Sequence, residues 1–401
     1  MNKMNRRSLL KLAGSTAMMP GVSEMAMAFR SRTGKVAYEI AVSESQADTA
    51  PKYSINFGVI GLDHNHILGI TAAVQRGGGK LVSVYSTNQG GLADFKRRFG
   101  NVKVASSEDE ILNDPSIKLV AAAPIPDERA PLGIRVMKHG KDYLVDKPGI
   151  ITLEQLAEVR KAIKETKQIY AILYSERLEV KAAVKAGDLI KEGAIGRVIQ
   201  TVNLAPHQIN QPRARPRPDW FWDPARYGGI LCDIGSHQAD QFVYYTGTTT
   251  AEVTASQIAN VNHPDKPKFQ DFGDMMVHGN GGAGYIRVDW FTPNGLGTWG
   301  DGRLFVLGTE GYMELRKYAD IAGRKGGNHL FIVDQKQARY IDCSNVALPF
   351  GHQFVADIVN RTHIAQDQEQ ALLTTELVLK AQKKAKWLKF SSETEPLKAN
   401  S

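Results

Sequence analysis

Along the first half of the chain, short apolar runs alternate with stretches of helical period. The short runs Ile55 to Ile60, Leu81 to Tyr85, Val102 to Ala105, Leu119 to Ala123, Tyr143 to Asp146 and Ile169 to Leu173 are mostly apolar. That pattern predicts strands buried on both faces rather than strands with one wet side. The intervening segments read as helices, two of them opening on capping boxes, Ser107 with Glu110 and Thr152 with Gln155. Repeated strand–helix units predict a parallel sheet covered by helices on both sides.

After Tyr174 the rhythm changes. A helix is expected over Val180 to Glu192, followed by strands near Arg197 to Leu204, Ala251 to Ile258, Gly284 to Phe291, Arg303 to Gly308 and Gly311 to Arg316. Asp223 to Tyr245 reads as a loop running into a helix that starts near Gly229 to Asp233, and Asp367 to Leu388 as a long closing helix. Strands joined by turns predict a second, α+β domain with a large, open, mostly antiparallel sheet. The expected organisation is an α/β chain: a first domain over 53–174 and a second over 175–395.

The first 52 residues stand apart from this pattern. Asn5-Arg6-Arg7-Ser8-Leu9-Leu10-Lys11 is a twin-arginine pattern ahead of the apolar stretch Leu12 to Met19, and Ala26-Met27-Ala28 has the small residues a signal peptidase reads. Residues 1–28 are expected to be a signal removed after Ala28, and 29–52 a linker or arm. The apolar stretch falls short of the roughly 20 residues that span a bilayer, so no stable membrane insertion is expected after cleavage. The twin-arginine machinery exports folded proteins, which predicts a periplasmic or exported product whose cofactor is tightly held. Removing 1–28 takes away Lys3, Arg6, Arg7, Lys11 and Glu24 and lowers the formal charge from +8 to +5. With 42% hydrophobic and 23% charged residues and no basic run interleaved with aromatics, a globular protein without nucleic-acid binding is expected. Cys232 and Cys343 are too few for a disulfide framework, and one bridge between them is left open by the sequence.

Ile55 to Gly61 runs as a strand into a turn, and Asp63-His64-Asn65-His66 leads into a helix. This is the setting in which a dinucleotide pyrophosphate rests on a helix amino terminus, and Gly58, Gly61, Asp63 and His66 are the candidate cofactor contacts. Of G-x-G-x-x-G only Gly61 is in place; Asp63 and His66 occupy the second and third glycine positions. The next strand ends in Ser86-Thr87-Asn88 instead of an acidic residue, which places Ser86 and Thr87 by the adenosine ribose and favours NADP slightly over NAD. His64 and His66 are i and i+2 in a turn, and a further metal ligand would have to come from a distant loop, so no metal is expected.

Two later segments carry the chemistry. Asp146-Lys147-Pro148 closes the fifth apolar run, at the strand edge where open α/β sheets bind ligands. Gly228-Gly229-Ile230-Leu231-Cys232-Asp233-Ile234-Gly235-Ser236-His237-Gln238-Ala239-Asp240 puts Asp233 and His237 one helical turn apart, on one face. With these motifs, and Leu307-Gly308-Thr309-Glu310-Gly311 after them, the chain resembles the Gfo/Idh/MocA oxidoreductases from Phe57 to Trp387. The resemblance implies a Rossmann dinucleotide-binding domain, NAD or NADP as cofactor, and Lys147, Asp233 and His237 as the catalytic group. His237 is then the proton acceptor, Lys147 the cation at the reacting hydroxyl and the nicotinamide, and Asp233 the residue that fixes the sugar or the lysine. Pro124 and Pro148 fall on the cofactor side. Pro124-Ile125-Pro126-Asp127-Glu128 departs from the family's P-N-x-x-H.

The family also implies a saccharide substrate and a homo-oligomer, dimer or tetramer, formed through the open sheet. Trp220 and Trp222 are candidate sugar-stacking residues beside Lys147, Asp233 and His237, and Arg213, Arg215 and Arg217 candidate anion contacts. The expected function is hydride transfer between a tightly bound nicotinamide and a secondary hydroxyl of a sugar. The alternatives are a glycosidase or lyase working by transient oxidation, and a sugar-binding protein that has lost its cofactor.

Overall fold

A computed structural model of the chain describes residues 50–210 and 216–390. The twin-arginine motif, the cleavage site, most of the 29–52 arm, Arg213 and Arg215 lie outside the described residues.

The first unit runs β1 (Ile55–Leu62), α1 (Ile67–Arg76), β2 (Gly79–Tyr85), α2 (Gln89–Phe99), β3 (Lys103–Val104), α3 (Glu108–Leu112), β4 (Ile117–Ala123), α4 (Pro126–Lys138), β5 (Asp142–Asp146), α5 (Leu153–Thr166) and β6 (Tyr170–Leu173). Its six strands are parallel in the order β3-β2-β1-β4-β5-β6. The consecutive apolar positions have the predicted cause. Leu119, Ala121 and Ala123 of β4 face one hydrophobic cluster, and Val120 and Ala122 face another on the opposite side of the sheet. Both capping boxes form: Ser107 accepts from the Glu110 amide and Thr152 from the Gln155 amide. Their reciprocal arms reach one residue further back, to the amides of Ser106 and Ile151.

The second unit runs α6 (Ser175–Leu178), α7 (Lys181–Lys191), β7 (Val198–Pro206), α8 (Pro224–Tyr227), α9 (Ile230–Asp233), α10 (Gly235–Thr246), β8 (Ala251–Ala259), β9 (Phe272–Gly279), β10 (Ala283–Asp289), β11 (Arg303–Gly308), β12 (Tyr312–Arg316), β13 (His329–Val333) and β14 (Ala338–Asp342). It closes with α11 (Phe350–Asn360), α12 (Gln368–Lys384) and β15 (Lys386–Trp387). Nine strands form one sheet, β14-β13-β12-β11-β7-β10-β9-β8-β15, antiparallel except where β10 meets β7 and β15 meets β8. Burial alternates along it: Leu304, Val306, Met313 and Leu315 are enclosed, whereas Phe305, Leu307 and Tyr312 face outward and are exposed.

The division at Tyr174 needs one correction. Phe350, Phe354, Val355 and Ile358 of α11 belong to the hydrophobic cluster of β1, β4 and α1, so the chain returns to cover the first sheet. Glycine makes the crossing: a Cβ on Gly351 would fall 2.0 Å from the Ala73 carbonyl oxygen, and one on Gly77 equally close to that of Gly351. Cys232 and Cys343 are both free and buried, in separate clusters, so they do not form the bridge the sequence left open. No helix among the described residues is long and apolar enough to cross a membrane.

Candidate active site

The sheet order reverses between β1 and its neighbour β4, and the carboxyl ends of these strands form the crevice where such sheets take ligands. Gly61 lies there with φ of 80°, and an added Cβ would stand 2.7 Å from the backbone nitrogen of Pro124. Only glycine suits a left-handed residue packed that closely. Gly61→Ala is therefore expected to displace the turn after β1 and weaken dinucleotide binding at least tenfold. Fluorescence titration of NADH and NADPH checks this, with circular dichroism to confirm folding.

The other proposed cofactor residues are spread over the crevice and its walls. Gly58 lies inside β1, where an added Cβ would meet Ile111 at 2.6 Å; it lets α3 pack on the strand and sits three residues short of the turn. Asp63 turns toward the Asn88 amide, 3.5 Å away, and burial pushes its carboxyl pKa up. At the end of β2, Ser86 is buried and accepts from the Asn88 amide, Thr87 is exposed, and Asn88 caps α2. Lys96, Arg97 and Arg98 lie in the last turn of α2, about 12 Å along the helix from that cap. These cations stand at the far end of α2 from Ser86 and Thr87. The glycine turn and the amino terminus of α1 fit a nicotinamide dinucleotide.

Lys147, directly after β5, is buried, and its Nζ donates to Asp233 Oδ1 at 2.7 Å. Burial alone would favour the neutral acid, but the Lys147 charge and hydrogen bond outweigh it and hold Asp233 below the usual carboxylate range. α9 and α10 follow almost without a break, Ile234 keeping helical dihedrals, so His237 stands one turn after Asp233 as expected. His237 is 2% exposed, and its Nδ1 has no hydrogen-bond partner. Desolvation, opposed by Glu176 and assisted by Lys147, depresses its pKa to about 3, so the imidazole is a neutral proton acceptor.

Several residues of this centre were missed by sequence reasoning. Glu176, on α6 just beyond β6, is buried beside His237 and accepts from Lys317 Nζ at 2.8 Å and Gln238 Nε2 at 3.0 Å. Its carboxyl is depressed to about 2; burial opposes the charge, and Lys317, His237 and His207 more than offset it. His207, following β7, sits edge-on to Trp290 and Trp299. Its Nδ1 lies 3.3 Å from the Ala205 carbonyl, which makes Nδ1 the donor and leaves Nε2 to accept. Burial lowers its pKa to about 4, and it feels Glu176, Lys147 and Asp233. The rule that singled out Lys147, a polar residue just past a strand's carboxyl end, also applies to Glu176. Asp240, the last residue of the motif, is held by both arms of Arg177 at 2.5 and 2.9 Å, tying α10 to α6.

At the turn itself, His66 Nδ1 bonds Asp146 Oδ1 at 2.9 Å and His64 Nδ1 approaches Oδ2 at 2.8 Å. The distant partner that the sequence did not provide for these histidines is thus Asp146. Arg129, itself buried, grips the same carboxylate at 3.1 Å and donates to the carbonyls of Pro124, Asp146, Lys147 and Pro148. It ties the turn after β4 to the Asp146-Lys147-Pro148 segment. Trp220 faces His64, ring centroids 6.5 Å apart, on the crevice wall. Trp222 packs instead on Phe269 and His263. Arg217 lies over Phe221 and Trp290 and donates to the Ile209 carbonyl. A polar basin of about 780 Å³ opens at the opposite, amino-terminal edge of the first sheet, lined by residues such as Asn56, Lys118 and Arg361. It brings none of the catalytic group together.

Two family descriptions match the chain in this order. Residues 55–174 match the oxidoreductase family with an NAD-binding Rossmann fold, and 183–314 match the GFO/IDH/MocA C-terminal domain. The chain belongs to the Gfo/Idh/MocA oxidoreductases. It is 24% identical over 293 residues to scyllo-inositol 2-dehydrogenase (NAD(+)) of Bacillus subtilis, covering 71% of this chain and 81% of that one. It is 28% identical over 205 residues to 1,5-anhydro-D-fructose reductase of Ensifer adhaerens, covering 50% of this chain and 59% of that one. Among solved structures, one from Erwinia carotovora atroseptica superposes with a TM-score of 0.80 at 43% identity, covering 84% of this chain and all of the other. The resemblance that the motifs carried thus extends to both domains, and the chain is an oxidoreductase with an NAD(P)-binding fold.

Proposed function

We propose that this oxidoreductase transfers a hydride between a nicotinamide dinucleotide and a secondary hydroxyl of a sugar or cyclic polyol. The observation that carries the reading is the buried Lys147–Asp233 pair with a neutral His237 one helical turn away, at the carboxyl edge of a Rossmann sheet. The nicotinamide, when bound, is the hydride acceptor. Lys147 donates to the reacting hydroxyl oxygen and stabilises the charge that develops there. His237 takes the hydroxyl proton, and Glu176 stabilises the imidazolium that results. Asp233 orients the lysine. Trp220 supplies an aromatic face beside the crevice, and the activities named for the two curated relatives support a polyol or sugar substrate.

We also propose export by the twin-arginine route with the dinucleotide already bound, supported by Arg6-Arg7 and the segment that follows. A homo-oligomer through the outer face of the nine-stranded sheet is supported by the exposed Met276, Phe305, Leu307 and Tyr312.

Incubation with inositols, anhydrosugars and aldoses, followed by nicotinamide absorbance and product analysis, tests the reading; a keto-sugar formed in step with reduced nicotinamide is expected. The pH profile tests the base. Protonation removes the acceptor, and the depressed pKa of His237 moves that loss to lower pH. The acid limb of kcat/KM is therefore expected well below the ordinary histidine value of about 6.5. A limb near that value would assign the base elsewhere.

A further inference from the structure

His64 and His66 leave the turn after β1, Asp146 arrives from the end of β5, and one donor atom from each falls within 4.8 Å of the others. The geometry of the group differs from that of a simple histidine–carboxylate pair. His64 Nδ1 and Asp146 Oδ2 are 2.8 Å apart and shielded from solvent, and Arg129 also reaches Oδ2, at 3.1 Å. Donor atoms gathered this closely from the ends of β1 and β5 can be directed at one ion.

The spacing supports the same conclusion. An octahedral ion with bonds of about 2.0–2.1 Å holds neighbouring ligands about 2.9 Å apart, and a tetrahedral one about 3.3 Å apart. His64 lies 2.8 Å from Oδ2 and His66 2.9 Å from Oδ1, separations close to the octahedral edge that hydrogen bonds also span. Two imidazoles and one carboxylate are the donor set that first-row transition metals take on one face, leaving other positions open. Arg129, pinned by backbone carbonyls, contacts Oδ2 and leaves Oδ1 beside His66. The Lys147 ammonium is engaged with Asp233. Trp220 stands against His64, so the open side gives onto the crevice.

We propose that His64, His66 and Asp146 bind one divalent first-row transition-metal ion, whose open positions take vicinal hydroxyl or carboxylate oxygens of the substrate. The ion site stands independently of the redox reading; only the substrate contact rests on it. His66 then serves the ion and not a cofactor phosphate.

The test uses the full chain without a histidine tag, stripped with a chelator and titrated with Co2+ and Mn2+, followed by visible absorption and elemental analysis. About one ion per chain with Co2+ ligand-field bands is expected. His66→Gln, at a partly exposed position, should weaken binding at least tenfold, and the double variant His64→Ala/His66→Ala should abolish the bands while circular dichroism persists. Substoichiometric uptake by the wild-type chain overturns the proposal, as does equal uptake by His66→Gln. If the double variant does not fold, His66→Gln alone decides. An ion held by a chain that oxidises no polyol would sink the redox reading and leave the site standing, whereas full turnover by an ion-free chain would keep the redox reading and overturn the substrate contact.

Discussion

Lys147→Met is expected to lower kcat for alcohol oxidation by about 10²–10³-fold, the scale of losing one donor aimed at developing oxyanion charge. Methionine keeps much of the lysine's length and burial, so the packing behind β5 survives. What disappears is the cation 2.7 Å from Asp233, and with it the donor to the reacting hydroxyl. Dinucleotide affinity should change far less, because the Gly61 turn and α1 are untouched. Asp233→Asn makes a useful companion: it leaves the lysine cationic but removes the carboxylate that orients it, so a smaller loss in kcat is expected. Steady-state kinetics with an equilibrium cofactor titration separate the effects. Turnover by Lys147→Met within tenfold of the wild type would remove the lysine from the reaction.

The largest effect on stability is expected at a residue outside the motifs. Lys317 and Glu176 are both almost fully enclosed and pair at 2.8 Å. Lys317→Met strands a carboxylate in a low-dielectric interior, at a cost of about 3–5 kcal/mol at neutral pH. Replacing both partners, Glu176→Gln with Lys317→Met, should recover most of that, since no uncompensated charge remains. The pH dependence gives an independent check. Glu176 has a depressed folded pKa, about 2, so its contribution is present above the unfolded value and fades as pH falls from there toward 2. In Lys317→Met burial is no longer offset by that cation and pushes the carboxyl up, so the variant's penalty should shrink as pH is lowered toward the ordinary glutamate value. Urea unfolding at neutral and mildly acidic pH measures it; an undiminished penalty would mean that packing, and not charge, is what the substitution removes. Because Glu176 also stabilises a protonated His237, the same variants should alter the pH–rate profile.

How much of this was legible in the sequence depended on whether a signal was local. The six parallel strands were readable because burial on both faces leaves unbroken apolar runs such as Leu119 to Ala123. The Asp233 and His237 pair was readable because helical spacing alone sets their common face. β13 and β14 were not, having only five residues each, and neither was β9, which sets Asp274 and His278 among its apolar positions. The place of α11 was hidden for another reason: its amphipathic pattern says that one face is buried, and only the Gly77–Gly351 contact shows that the first sheet buries it. The site followed the same rule. Lys147 was marked by its strand end, but Glu176, His207 and Arg129 act through partners far away in sequence, and Asp146 joins His64 and His66 across some 80 residues.

The most direct measurement is the dinucleotide content of the protein itself. Purified protein is denatured, the released small molecules are quantified by mass spectrometry, and the native protein is titrated with NAD(H) and NADP(H). Near-stoichiometric release of one nicotinamide dinucleotide, or tight saturable binding of one, is the predicted result, and it settles which of the two the crevice takes. An empty protein that binds neither would contradict hydride transfer at this crevice.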